Sequence, residues 1–415
     1  MIRHLAGKLV GPTTGHGRRR LIHGGNVDAS SANPVALQMI DYALSLARSH
    51  RSDESHAQGM LVLEQCLSSQ SCVDDTTTDV AAIDNSKGMV LLAMSDLLFS
   101  RGNYGDAMEK LQSVPSKSSL GVRVAAMEAL VGVNLQLGLD DASSVLADKC
   151  LGLLEVDGES LEVVRARAKA VKGLVELVRG NVESAETFFR GLKGDEDGAG
   201  AAALSYGEFL HATRNLSDAK ELYVKAIEGA GKGKDFSKIN ALGACNMAPD
   251  EILLAATCSL GQLEGHLGNF GAAEETLTKA LNKAEELFGS RHPKVGVVLT
   301  CLGHMFRHKA RDEQSSSILI QEGLYRRAIE LLKAPPLDSD GDGVMGTMRD
   351  IAAVARGGYA AVLGIQQNRK AEAEKMKKWS ESVWRNSRIS LDEFINFSES
   401  SSKVPVIDAR ICRAL

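Results

Sequence analysis

Residues 260–280 read LGQLEGHLGNFGAAEETLTKA, and the spacing of small and apolar residues in this stretch decides the fold. Apolar residues recur every three or four positions on either side of Gly268 and Asn269, which is the periodicity of two amphipathic helices joined by a tight turn. The pattern is carried by Leu260, Gly261, Gly268, Asn269, Phe270, Ala273, Leu277 and Ala280. Small residues let two helices approach closely, and large apolar residues fill the space between them. The stretch therefore predicts an α-hairpin.

Two further copies of the pattern lie upstream. One consists of Tyr206, Gly207, Leu210, Ala219, Tyr223 and Ala226, and the other of Ser95, Leu98, Gly102, Tyr104, Ala107 and Leu111. A recurring two-helix unit buries its apolar face by stacking on neighbouring copies. The chain thus resembles the tetratricopeptide-repeat family, and this resemblance implies an all-α solenoid, an α-α superhelix of about six to eight helical hairpins. The stretch from Leu254 to Phe306, with His292 and Pro293 before its last helix, resembles the longer repeats of kinesin light chains.

The pattern divides the chain into three parts. Residues 1–32 are expected to be a transit or disordered segment, 33–388 the repeat domain, and 389–415 a C-terminal tail. Clear repeats are expected at about 88–119, 166–192, 200–229, 254–287 and 296–333. Glycines, lysines and a proline between Gly231 and Pro249 predict an insertion in a loop. The segment from Asp312 to Gly323 predicts a lengthened helix or a second inserted loop.

Composition fits packed helices. The 415 residues are 44% apolar but only 4% aromatic, with 40 glycines and 8 prolines. The seven cysteines include no pair separated by two residues, which indicates free thiols. No apolar run is long enough to predict a membrane span.

The first 27 residues carry five basic residues, Arg3, Lys8, Arg18, Arg19 and Arg20, before the first acidic one, Asp28. This asymmetry is typical of an organellar transit segment, although cytosolic proteins also have basic N-termini. We expect the mitochondrial matrix, with plastid or cytoplasm as alternatives. Removing five positive charges from a net charge of −5 leaves −10, and a chain this acidic disfavours a nucleic-acid partner.

The resemblance to the repeat family implies that the first helix of each hairpin lines a concave groove that binds proteins or peptides. By the repeat register, the side chains expected to line this groove are Asp96, Phe99, Glu208, His211, Gln262, His266, His304, Arg307 and His308. Family members that hold a chaperone's terminal carboxylate use lysine and asparagine, but here the matching residues are Leu92 and Asp96. Repulsion between Asp96 and a carboxylate argues against that ligand.

Three other kinds of site find little support. Asp338, Asp340, Asp342 and Gly343 match the first half of a calcium loop, but Arg349 stands where a bidentate glutamate is needed, so a solvated acidic turn is favoured. Cys301, His304 and His308 share one predicted helix, which does not close a tetrahedral metal site. The basic and aromatic cluster around Lys377, Trp379 and Trp384 is expected to be an end-cap helix, because Glu372, Glu374 and Glu381 are interleaved.

No nucleotide-binding loop or catalytic motif is recognisable, so the sequence predicts neither an enzyme nor a cofactor. It predicts a protein-interaction scaffold or assembly factor. The alternatives are an RNA-associated helical-repeat protein of organellar gene expression and a cytosolic adaptor like kinesin light chain.

Overall fold

The computed structural model describes residues 32–50, 52–70, 80–156, 162–192, 200–231, 242–314, 317–337, 348–398 and 401–415. The basic N-terminal segment and the carboxylates at 338–342 lie outside the described residues. The expectations for a transit segment and for an acidic turn therefore stay predictions.

Eight α-hairpins follow one another in the described part of the chain. They are α1 (Pro34–His50) with α2 (Asp53–Gln70), α3 (Val80–Ser100) with α4 (Tyr104–Gln112), α5 (Leu120–Gln136) with α6 (Asp140–Val156), α7 (Glu162–Val178) with α8 (Val182–Phe189), α9 (Gly200–Ala212) with α10 (Leu216–Gly231), α11 (Pro249–His266) with α12 (Phe270–Phe288), α13 (Pro293–Asp312) with α14 (Ile318–Leu331), and α15 (Arg349–Leu363) with α16 (Lys370–Val383). A short helix, α17 (Leu391–Ile395), and two short strands, β1 (Ile407–Asp408) and β2 (Arg413–Ala414), complete the chain. The predicted all-α superhelix is confirmed.

Glycines on the first helix of a hairpin set how the second helix packs. A Cβ added at Gly207 would lie 2.9 Å from the ring of Tyr223, and one at Gly261 would lie 2.7 Å from Leu277. Both large side chains stand at the same sequence distance from their glycine. The absence of a side chain at each glycine therefore admits the large residue of the partner helix and fixes the register of the hairpin.

The turn predicted at Gly268 and Asn269 has the geometry of a helix C-terminus capped by glycine. Gly268 takes a φ of 76°, and its N–H donates to the carbonyl of Gly265 while the N–H of Asn269 donates to the carbonyl of Glu264. These two bonds satisfy carbonyls that the helix leaves unpaired, and glycine adopts the left-handed conformation without a Cβ penalty. Arg214 takes the same position between α9 and α10, with a φ of 69°.

The first helices of successive hairpins form the inner row of the superhelix. From α5 to α15, each odd-numbered helix contacts the next one. The superhelix curves far enough that Arg48 on α1 lies 3.1 Å from Asp250 at the start of α11. The inner row thus encloses a concave groove.

The insertion between α10 and α11 differs from the predicted loop. Its described part, residues 242–248, is almost entirely buried and includes a short 3-10 helix, Cys245–Met247. The N–H of Cys245 donates to Asp96 at 2.8 Å, and Asn246 donates to Gln136 at 3.2 Å. The end of the insertion therefore packs into the inner face of the N-terminal hairpins.

The last hairpin carries the predicted end-cap helix, α16. Lys378 pairs with Glu374 and Lys377 with Glu381, each pair at 3.9 Å. Trp379 is only 5% exposed and lies under the guanidinium of Arg356, 3.9 Å from the ring centre. Its ring is therefore closed to stacking with a nucleic-acid base.

Candidate functional site: a concave groove filled by the C-terminal segment

The concave groove is occupied by the chain's own end, residues 404–415, which we call the C-terminal segment. Every residue of this segment is buried. β1 and β2 pair antiparallel with Ile407 opposite Ala414 and Asp408 opposite Arg413, so the segment forms a small hairpin. Its apolar residues from Val406 onward belong to the same core as α5 to α15.

The main chain of this segment is held directly by Gln262 in the groove and by Asn386 and Arg388 in the connection between α16 and α17. Gln262 on α11 accepts from the N–H of Ile407 at 2.8 Å and donates to the carbonyl of Ile407 at 2.9 Å. Arg388 donates to the carbonyls of Val404, at 2.7 Å, and Leu415. Asn386 donates to the carbonyl of Ala414 at 2.7 Å. These bonds satisfy buried main-chain groups whatever side chains the segment carries.

Arg410 is the first of two cations that the segment places in acidic surroundings. Its guanidinium lies 2.7 Å from Glu208 on α9 and 2.9 Å from Asp408, and it donates to Ser205 at 3.2 Å. Burial alone would lower the pKa of Arg410, but the two carboxylates raise it above its usual range. Burial and the charge of Asp408 raise the pKa of Glu208 well above 4.5, although Arg410 opposes this rise.

Arg413 is the second cation. Its Nε donates to Asp350 on α15 at 2.6 Å, and its Nη1 donates to Asp140 on α6 at 2.8 Å and to the carbonyl of Leu135 at 3.0 Å. The two arginines therefore connect the segment to helices from three different hairpins, α5 and α6, α9, and α15. Each guanidinium satisfies acceptors in several directions, which suits its planar fork.

Four of the predicted groove residues are histidines, and all four contact parts of this same chain. His211 is hydrogen-bonded to Tyr223 at 3.0 Å and to His266 at 2.9 Å. His304 donates to the carbonyl of Phe394 at 2.9 Å, and His308 lies 3.1 Å from the carbonyl of Gly265. None of these rings is exposed.

Burial favours the neutral imidazole at three of these residues, His211, His266 and His304, because a buried charge loses its hydration. Burial, followed by the charge of Arg388, lowers the pKa of His211 to about 3. Burial, followed by His308 and Arg307, lowers the pKa of His304 to about 4. Burial also lowers the pKa of His266 well below its ordinary value of 6.5, with further lowering by His211 and the other histidines.

The other predicted groove residues of the C-terminal half are also covered. Glu208 and Gln262 lie beneath the C-terminal segment, and Arg307 donates to Asn396 at 2.7 Å. A partner protein reaches these residues only if the C-terminal segment and the residues around α17 move away from the groove. Partner binding at these residues stays a prediction.

Asp96 and Phe99 lie apart from the rest, next to a cavity of about 290 Å³ between the N-terminal hairpins and the α11–α12 hairpin. Arg48, Asp250 and Glu286 also line this cavity. Because its walls carry both signs of charge, the cavity by itself indicates no single class of ligand.

The described residues include no cluster of three or more His, Cys, Asp or Glu side chains that could hold a metal ion. Cys301, considered above as a ligand, lies with its sulfur 3.5 Å from that of Cys258. In the same part of the chain, no helix is both long and apolar enough to cross a membrane.

No protein-family model matches the sequence, and no curated protein matches it. Two solved structures are similar in fold. The crystal structure of BtubC (BKLC) from P. vanneervenii is 14% identical, with a TM-score of 0.38, and the match covers 60% of this chain and 89% of that one. The crystal structure of yeast Tom70 is 13% identical, with a TM-score of 0.27, and the match covers 87% of this chain and 95% of that one.

Similarities this distant say nothing about function. The class of fold follows from the geometry of the hairpins. Stacked pairs of helices with a glycine opposite a large residue define an α-helical-repeat solenoid. This is the fold that the resemblance to the tetratricopeptide-repeat family implies.

Arg410 and Arg413 lie in residues 389–415, which the sequence pattern predicts to be a tail, so neither is among the predicted site residues. Val404, Val406 and Ile407 nevertheless form a β-branched run, interrupted by Pro405, after the polar residues 398–402. Such a run favours an extended, buried segment, and it is the local signal that was available.

Proposed function

We propose that the protein is a non-enzymatic helical-repeat scaffold that binds extended segments of partner proteins in its concave groove. The observation that carries this proposal is the C-terminal segment itself, which the groove holds through its main chain. The contacts from Gln262, Asn386 and Arg388 serve any segment that follows the same path. A preformed groove also lowers the entropic cost of binding, because the scaffold is already ordered.

The C-terminal segment then acts as a ligand supplied by the chain itself. A partner competes with it, so the apparent affinity for the partner depends on how often the segment leaves the groove. Because the segment is tethered, its effective concentration at the groove is high. Partners therefore bind well only when their own contacts match those of the segment.

The RNA-associated alternative is less well supported. Basic residues of the inner face are paired within the protein, as Arg167 is with Glu128 and Lys294 with Glu251. Paired and buried cations cannot neutralise phosphates. Outside its first 27 residues the chain also has a net charge of −10, from a total of −5 less the five basic residues of that stretch.

We further propose that the protein works in an organelle, the mitochondrial matrix first, as an assembly factor. This part rests on the acid-free basic N-terminus. Plastid import and a cytosolic adaptor role are the alternatives, and they differ in where the full-length protein is found.

The groove proposal implies that a peptide ligand and the C-terminal segment compete for the same site, and this competition can be measured. Peptides are selected from a random display library on the immobilised full-length protein, and their Kd values are measured on the parent chain and on Arg410→Ala. We expect tighter binding to Arg410→Ala, by the same factor by which that change loosens the segment. Lys403→Ala, a charge removal at an exposed residue just before the segment, is the control and leaves the Kd unchanged.

Equal affinity for the parent and for Arg410→Ala would place peptide binding outside the groove. A library that yields no binder to either chain would also contradict the proposal.

A further inference from the structure

The acidic residues of the inner face fall into two groups. Glu128 and Glu251 have cations from the repeat helices themselves, Arg167 and Lys294. Glu208 and Asp350 differ, because among the described residues their ion pairs are made only to the C-terminal segment. Both are nearly fully buried.

An occupant of the groove that lacked cations would leave these two carboxyl groups buried and unpaired. A buried charge without a partner is strongly unfavourable, so the groove discriminates against such an occupant. Glu208 also has one oxygen, Oε1, that is buried without a hydrogen-bond partner. The site at Glu208 therefore has acceptor capacity left for a donor.

The shape of the two sites favours arginine over lysine. The guanidinium of Arg410 reaches Glu208 and Ser205 on α9, and that of Arg413 reaches Asp350, Asp140 and the carbonyl of Leu135. A lysine ammonium is a compact charge and cannot satisfy acceptors spread in this way.

The spacing of the arginines is set by a tight turn. Asp408 accepts from the N–H of Arg410 at 2.7 Å, and Cys412 takes a φ of 53°. The turn separates the two arginines so that one reaches α9 and the other reaches α6 and α15. Asp408 also supplies a second carboxylate to Arg410.

We propose that the partner segment of this groove carries two arginines three positions apart on a tight turn, with an aspartate two positions before the first, and that they enter the sites held by Arg410 and Arg413. This inference rests on the proposed function and names the chemistry of its partner. The class of ligand is a basic, otherwise apolar segment of a protein, with the pattern Asp-X-Arg-X-X-Arg.

The test uses the full chain with a specific protease site placed between Ser398 and Ser401, cleaved after folding so that the segment stays bound without its tether. Fluorescent peptides of residues 402–415 are then exchanged into the groove, and their affinities are compared by anisotropy. The series consists of the parent peptide, its Arg410→Ala and Arg413→Ala forms, its Arg410→Lys form, and Lys403→Ala as the matched control.

We expect the parent and Lys403→Ala peptides to bind alike, and each Arg→Ala peptide to bind at least about 30-fold more weakly. Arg410→Lys should fall between them. Arg→Ala peptides that bind as well as the parent overturn the arginine inference while leaving groove binding intact. If neither the parent nor any variant peptide enters the groove, the proposed function itself is contradicted.

Discussion

Replacing Arg410 by alanine should release the C-terminal segment from the groove. The change leaves Glu208 and Asp408 in a fully buried site without their cation. Breaking a buried ion pair from one side costs about 3–5 kcal/mol. Glu208 and Asp408 can then share one proton, which reduces the cost toward about 3 kcal/mol.

We treat that cost as a local opening equilibrium, because the segment follows α17 and connects no two hairpins, so its departure breaks no link between the repeats. A loss of about 3–5 kcal/mol raises the open fraction by about 100- to 4000-fold, since each 1.4 kcal/mol is a factor of ten.

Cys412 reports this opening. It lies within the segment and is fully buried, and burial, the largest effect, raises the pKa of its thiol to about 12. A thiol reagent therefore modifies it only in the open state. The rate of modification is measured by mass spectrometry of the peptide that contains Cys412, with buried Cys150 on α6 as the internal reference.

We expect Arg410→Ala to accelerate modification of Cys412 by about 100-fold or more and to leave Cys150 protected. Lys403→Ala is the control variant and should match the parent. If Cys412 in Arg410→Ala reacts within about threefold of the parent rate, the ion pairs do not hold the segment. If Cys150 becomes reactive to the same extent, the opening is global, and the segment is a part of the core and not a separable ligand.

Three other predictions test the fold, the buried histidines and the localisation. Ala273 on α12 is fully buried, so Ala273→Leu should overpack its hairpin and lower stability by about 1–3 kcal/mol in urea unfolding. Gly271→Ala, on the same helix with nothing near its Cβ position, should not lower it, and equal effects of the two changes would refute the register. The lowered pKa values of His211 and His304, about 3 and about 4, mean that the unfolded chain takes up protons below pH 6.5 while the folded chain does not. Their contribution is thus complete above pH 6.5 and declines as the pH falls, by about 2 kcal/mol per histidine at pH 5, partly offset by the raised pKa of Glu208. If the parent and His304→Gln lost the same free energy of unfolding between pH 7 and 5, the ring of His304 would not be a buried neutral group. A reporter fused to residues 1–27 should enter an organelle, and a diffuse cytosolic reporter would remove the basis for the organellar proposal.

The repeat architecture could be predicted because its determinants are local. Each hairpin contains its own packing pair, as with Gly207 and Tyr223 or Gly261 and Leu277. In the sequence such a pair is visible as a glycine followed by a large residue at a fixed distance. Turn glycines such as Gly268 are visible for the same reason, since a left-handed residue is required at one defined position.

The content of the groove could not be predicted in this way. Arg410 contacts Glu208 and Arg413 contacts Asp140, and the residues of these pairs are 202 and 273 positions apart in the sequence. No periodicity relates such residues, and the charge of an arginine does not specify which carboxylate it meets. The repeat register predicts which side chains face the groove. It does not predict which part of the protein covers them.

Hydrogen exchange of residues 404–415 in the full-length protein reports whether the C-terminal segment is a separable occupant of the groove. We expect these amides to be protected in the free protein and to exchange quickly once a saturating groove peptide is bound, while the amides of α9 stay protected. Amides at 404–415 that exchange quickly in the free protein, or that remain protected with the peptide bound, would contradict it.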